Sequence, residues 1–270
     1  MDQKIIELCD EYTHTPLDRR LFLTRLAKLT GSLAAASALV PLLAANQAHA
    51  ALVATEDARL VTEHTGYPGA TGEIKVYLAR PKGTGKLPAV IVIHENRGLN
   101  PHIEDVARRM ALEGFLVLAP DLLSPLGGTP SNEDTAREMI GTLDGTQTVA
   151  NLRAAVDWLS KHAHGNGKVG TMGFCWGGGM VGDLAVHVPA LAAAVVYYSR
   201  QPKAADVEKI QAPLLLHYAG LDKRVNEGIA DFESALKQAN KSYELHVYDG
   251  VNHAFNNDTS EARYNQQAAE

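Results

Sequence analysis

From residue 73 onward, short apolar runs alternate with segments whose apolar residues recur at helical spacing. The runs Glu73 to Ala79, Ala89 to His94, Phe115 to Ala119, Lys168 to Met172, Ala193 to Tyr198, Pro213 to Tyr218 and Tyr243 to Tyr248 read as strands. Several, such as Val90-Ile91-Val92-Ile93, are apolar throughout, which suits a central parallel strand covered on both faces. Between them Ile103 to Leu112, Val149 to His162, Gly177 to Val188 and Asn226 to Ala239 carry the helical period. The alternation predicts an α/β architecture: a mostly parallel sheet of about seven strands with helices on both faces. No internal repeat and no Pro/Gly/Ser linker divides it, so residues 51–270 are expected to form one domain.

The first 50 residues read differently. Asp18-Arg19-Arg20-Leu21-Phe22-Leu23 is a twin-arginine pattern, followed by an alanine- and leucine-rich run from Leu33 to Ala45 and the small-residue site Ala48-His49-Ala50. Together they predict an export signal that engages the twin-arginine export machinery and is removed after Ala50, leaving a periplasmic protein. The apolar run is short for a membrane span, and an uncleaved N-terminal anchor is the alternative. Cys9 lies in this segment, so cleavage leaves Cys175 as the single cysteine and excludes an internal disulfide. Stability must then come from the core, for which the remaining length suffices. Five acidic and five basic residues cancel before Ala51, so the rest keeps the net charge of −6. That mildly acidic balance, without a basic patch, argues against nucleic acid as a partner, and composition leaves the oligomeric state open.

The chemistry gathers at strand ends. Gly173-Phe174-Cys175-Trp176-Gly177 follows a predicted strand and opens a predicted helix, the context of a nucleophile elbow, with a thiol at its apex. Glu95, Cys175, Asp222 and His253 all stand where predicted strands finish, the place where ligands bind in such sheets. Nucleophile, acid and histidine come in that order along the chain. Each has a plainer reading: an isolated cysteine is most often a small buried hydrophobe, Asp222 would cap the helix that follows, and His253 is one of eleven histidines. The bracketing glycines and the strand-end positions favour catalysis. His94-Glu95-Asn96-Arg97-Gly98 begins like a zinc-binding helix but lacks the second histidine and follows a strand, so no metal site is expected. Gly83-Thr84-Gly85-Lys86 and Gly165-Asn166-Gly167-Lys168 lack the span of a phosphate loop, and no nucleotide cofactor is expected either. Trp158, Trp176 and Tyr197-Tyr198 suit either a pocket or the core.

Five blocks together carry a family resemblance: His94-Glu95-Asn96-Arg97-Gly98-Leu99-Asn100, Ala119-Pro120-Asp121-Leu122, the Gly173 to Gly179 elbow, Ala219-Gly220-Leu221-Asp222 and Gly250-Val251-Asn252-His253-Ala254-Phe255. From about Thr71 to Tyr264 the chain resembles the dienelactone hydrolases (carboxymethylenebutenolidases), most closely their exported branch. The resemblance implies an α/β-hydrolase fold and a Cys-His-Asp triad of Cys175, His253 and Asp222, acting without a cofactor on an enol-lactone or activated ester through a thioester. It implies backbone N–H groups of Asn96 and Trp176 as oxyanion donors, and Glu95 as the acid that holds Cys175 as a neutral thiol until substrate arrives.

Two departures qualify it. Where family members that act on dienelactone place a substrate-binding arginine, four residues after the histidine, this chain has Asn257. The second arginine corresponds to Arg137, and Arg97 is an alternative cation, so the reaction class is implied more firmly than the substrate. The family's fold also adds a closing helix beyond the histidine, of which Ser260 to Glu270 reads as the first turns only, making the chain short at its C-terminus. Other readings are a weak or inactive member retained as a binding module, and a thiol-redox protein, which would lack a resolving cysteine.

Overall fold

The computed structural model describes residues 2–15, 17–43, 51–83 and 85–270; the expected cleavage site Ala48-His49-Ala50 lies outside them. Along the chain come α1 (Gln3–His14), α2 (Arg19–Thr30), α3 (Leu33–Leu43), β1 (Leu60–Gly69), β2 (Gly72–Pro81), β3 (Leu87–Ile93), α4 (Pro101–Leu112), β4 (Leu116–Pro120) and α5 (Glu133–Gly141). There follow α6 (Gly145–Ser160), β5 (Gly165–Phe174), α7 (Trp176–His187), β6 (Ala194–Tyr197), β7 (Leu214–Ala219), α8 (Lys223–Asn226), α9 (Ile229–Gln238), β8 (Tyr243–Tyr248) and α10 (Gln266–Ala269). Two compact units result, one of residues 51–218 and 222–247, the other of residues 1–50, 219–221 and 248–270.

The strands lie in the order β1-β2-β4-β3-β5-β6-β7-β8. β1 and β2 are antiparallel, as are β2 and β4, while β4-β3, β3-β5, β5-β6 and β6-β7 are parallel. Successive side chains on a strand point to opposite faces, and β2 shows that both faces are covered. Val76 and Leu78 join the core cluster with Leu152, Ala155 and Val156 of α6, whereas Tyr77 between them receives a hydrogen bond from Arg108 of α4. The continuously apolar β3 is therefore buried on both sides, with Ala89, Ile91 and Ile93 in that cluster and Val90 and Val92 also buried.

The sheet has one strand more than the apolar runs predicted. β1 is an edge strand paired only with β2, from Leu60↔Pro81 to Gly69↔Gly72, and its middle, Glu63 to Thr65, is largely solvated. An edge with one exposed face needs no apolar run and leaves little periodic signal. The predicted helix Asn226 to Ala239 is realised as α9 beyond Gly228, its first residue instead closing the short α8, and α5, capped by Asn132, lay in a stretch without predicted structure.

In the second unit, α1 to α3 bury a cluster of Ile5, Leu8, Cys9, Tyr12, Leu17, Phe22, Leu26 and Ala36. Tyr12 and Phe22 stack with centroids 4.3 Å apart, and burial pushes the Cys9 thiol up to about 11. Asp2 and Asp18 cap α1 and α2, and Gly31, at φ 83°, ends α2 in the left-handed region that favours glycine. Among the described residues no helix is long and apolar enough to cross a membrane. At the other end of the chain, the helical turns expected from Ser260 start only at Gln266. Before that, Tyr264 N bonds to Ser260 O at 2.8 Å and Asn265 N to Phe255 O at 3.0 Å, folding the chain back instead of letting a helix run through.

A buried ion network anchors the start of the sheet unit. The Asp105 carboxylate of α4 accepts from Val53 N at 2.9 Å and Leu52 N at 3.2 Å, and pairs with Arg108 and Arg109. Arg108, 2% exposed, also donates to Val53 O at 2.8 Å and to the Tyr77 hydroxyl at 3.0 Å. Asp105→Ala removes the counter-charge and is expected to cost about 3–5 kcal/mol, measured as a lower urea midpoint with an unchanged m-value.

Candidate active site

The chain turns from β5 into α7 at Cys175, whose φ of 53° and ψ of −120° no side chain adopts without strain. Its neighbours explain how the turn closes. A Cβ on Gly177 would stand 2.3 Å from the His94 carbonyl oxygen and 2.6 Å from that of Ile93, and one on Gly173 would stand 2.6 Å from Gly177 O. Gly178 has Ser199 Cβ 2.7 Å from its missing side chain. The start of α7 thus lies directly on the ends of β3 and β6, and Cys175 N donates to Tyr197 O at 3.1 Å. The thiol is 6% exposed at the head of α7, whose first N–H groups, beginning with Trp176, have no partner within the helix and favour negative charge.

At the end of β3, His94 fixes the neighbouring loop. Its Nδ1 lies 2.7 Å from Glu95 O, which only accepts, and its Nε2 accepts from Leu122 N at 3.3 Å. Both bonds hold only for neutral imidazole with the proton on Nδ1, and complete burial accordingly lowers the His94 pKa, against raising contributions from Glu95 and Asp121. The Glu95 carbonyl and the Asn96 N–H share one trans peptide plane and point in opposite directions, so tying down the carbonyl aims the N–H. The His94 ring also stacks on Trp176, centroids 5.4 Å apart at 12°. One side chain therefore meets the Glu95 carbonyl and the Trp176 ring, each beside an expected oxyanion donor.

Glu95 is half-buried, and its Oε1 accepts from the Tyr198 hydroxyl at 3.4 Å. Tyr198 has φ 38°, a strained value for so large a residue and a second irregularity at a strand end. Arg97 is ion-paired with Glu133 of α5. Burial raises the Glu133 pKa, with Arg97 lowering it and Asp134 and Glu95 raising it. Arg137 stands one turn further along α5, partly buried. Neither His94, Tyr198 nor Glu133 was assigned a role from sequence: His94 adjoins a marked motif, but only the fold brings the other two to it. Trp158 and Trp176 pack against the core cluster, and Tyr197 stacks on Phe174 and His217, so these aromatics serve packing.

Asp222 follows β7 and caps α8, with Oδ1 accepting from Val225 N at 3.2 Å; its Oδ2 lies 3.9 Å from Arg224. The plain reading of this residue thus holds for one of its two oxygens. His253, 2% exposed, sits in the other unit beside Ala254, at φ 64°. Its loop is pinned by Leu221 N to Val251 O at 3.0 Å, Gly220 N to Tyr248 O at 2.8 Å, and Phe255 packed on Tyr248. Asn257 is buried, and its Oδ1 accepts from Thr259 N at 3.0 Å and Thr259 Oγ1 at 2.7 Å, which makes it a turn-forming residue.

A mostly parallel, two-faced sheet with a strained, glycine-flanked turn at Cys175 between β5 and α7 defines an α/β-hydrolase. Residues 74–270 match the dienelactone hydrolase family, and the chain belongs to it. It is 34% identical over 230 residues to a "Putative carboxymethylenebutenolidase" of Escherichia coli O157:H7, covering 80% of this chain and 85% of that one. It is 36% identical over 202 residues to a "Probable 2-oxo-3-(5-oxofuran-2-ylidene)propanoate lactonase" of Bradyrhizobium, covering 69% and 81%. A crystal structure of a "Putative Dienelactone Hydrolase" from Klebsiella pneumoniae superposes with a TM-score of 0.69 at 30% identity, covering 78% of this chain and 93% of that one.

Gly177→Ala would drive a methyl into two backbone carbonyls that cannot yield. It is expected to prevent formation of the elbow, seen as loss of soluble protein or of all hydrolytic activity, whereas Gly141→Ala, in open space, leaves both intact.

Proposed function

We propose that the protein hydrolyses a lactone or activated carboxylic ester through Cys175, His253 and Asp222, with a thioester acyl-enzyme. The observation that carries the reading is the elbow: a cysteine held at φ 53° between glycines, heading a helix, in a chain of this family. In the reaction, His253 takes the thiol proton and the thiolate attacks the carbonyl carbon, moving the carbonyl π electrons onto oxygen. The N–H groups of Asn96 and Trp176 stabilise that oxyanion. Its collapse breaks the C–O bond and the leaving alkoxide takes the proton from His253. Water, losing a proton to the same imidazole, then adds to the thioester and expels the Cys175 thiolate, which recovers a proton. Asp222 orients the imidazole throughout.

Glu95 is the resting partner of the thiol, steadied by Tyr198. Arg97 has its charge balanced by Glu133, and Asn257 is committed to a turn. That balance favours esters and lactones without a carboxylate over dienelactone itself.

Activated aryl esters test the reading. Cys175→Ala and His253→Ala should each lower kcat by about 10³-fold or more, and the intact mass after exposure to a panel of lactones and esters should rise by one acyl group on Cys175. Full turnover by either variant would refute it. Glu95→Gln should change the pH dependence of Cys175 alkylation; an unchanged profile removes its resting role. His94→Leu releases the Glu95 carbonyl and should lower kcat about 10²-fold with KM little changed, the size of one lost oxyanion donor.

A further inference from the structure

α1 carries two opposed stripes. At about 100° per residue, Ile5, Leu8, Cys9 and Tyr12 share one side of the helix, and these are the residues buried against α2 and α3. Gln3, Asp10 and His14 fall on the opposite side, within about 40° of one another. All three address the segment that bears His253. Gln3 Nε2 donates to Asn252 Oδ1 at 2.8 Å, the Asp10 carboxylate pairs with Arg263 at 3.0 Å, and the rings of His14 and His253 meet edge to face with centroids 4.5 Å apart at 72°. His14 is itself fixed, because its Nδ1 lies 2.8 Å from the Asp10 carbonyl oxygen and must carry the proton there.

An export leader has no use for a polar stripe matched to a segment some 240 to 250 positions away. A catalytic imidazole does have a use for a neighbour on its edge. Rotation of the ring about its last torsion is broad and nearly two-fold, so packing has to select which nitrogen faces the proton donor. We propose that His14 is a positioning residue for His253 and that α1 is part of the working enzyme. This rests on the reading of His253 as the base. Removal of the chain before Ala51 would take the contact away.

The test uses the full chain and an activated aryl ester. His14→Ala should lower kcat about ten- to hundred-fold, with KM and the unfolding midpoint little changed, as a misplaced catalytic group does. His14→Phe keeps a ring edge and should restore kcat to within about threefold of the starting protein. An unaltered kcat in His14→Ala, or a Phe variant as slow as the Ala variant, overturns the proposal. Should His14→Ala not fold, Asp10→Asn loosens the same helix without touching either ring; a lower kcat supports the proposal and an unaltered one overturns it. His253→Ala separates the two readings: if it stays active, the base assignment fails, and if it is dead while His14→Ala is fully active, only the positioning role fails. Intact mass of the protein recovered from its own cells should include α1; a chain beginning at Ala51 overturns the proposal.

Discussion

The site depends on one close approach of backbone to backbone. The first turn of α7 lies against the carbonyls of Ile93 and His94, with no room for a β-carbon at Gly177. That contact sets the distance between the ends of β5 and β3, and so between the thiol of Cys175 and the loop of Glu95 and Asn96. It also holds Cys175 in its strained conformation at φ 53° and ψ −120°. The strain is tolerated because β3 and β5 are locked by their parallel pairing from Ala89↔Val169 to Ile93↔Gly173 and by burial on both faces.

Around that contact the polar groups are arranged for fixed charge states. His94 is held neutral by burial and by a donor and an acceptor on its two nitrogens, and through the peptide plane it sets the direction of the Asn96 N–H. Arg97 and Glu133 neutralise each other beside the same loop. In the proposed reaction a site preorganised in this way needs little rearrangement when negative charge develops on a substrate oxygen, the source of most of the benefit of fixed donors.

The N-terminal helices give residues 1–50 two competing physical readings. The twin-arginine pattern is what an export signal would carry, and in the structure Arg19 and Arg20 begin a capped helix within a packed cluster. Phe22, Leu26 and Ala36 are turned inward while Leu21, Leu29 and Leu33 stay exposed, and the polar stripe of α1 is matched to residues 252 to 263. Transport of folded protein does not exclude both properties in one segment, since only a leader that is cut away loses the second.

The central parallel strands and their helices were legible in the sequence because burial on both faces demands unbroken apolar runs, and the elbow was legible because sterics demand glycine at Gly173 and Gly177. The edge strand β1 was not, since half of it faces water and pairing with β2 replaces hydrophobic pattern as its cause. Sequence order alone gave the candidate nucleophile, acid and histidine, and composition excluded a disulfide framework. Only the tertiary structure decided that Arg97 is spoken for by Glu133, that Asn257 builds a turn, that His94 aims a peptide and that His14 stands at the edge of His253. These are contacts between residues far apart in the chain, and no local spacing rule encodes which distant side chain a folded backbone will bring within reach.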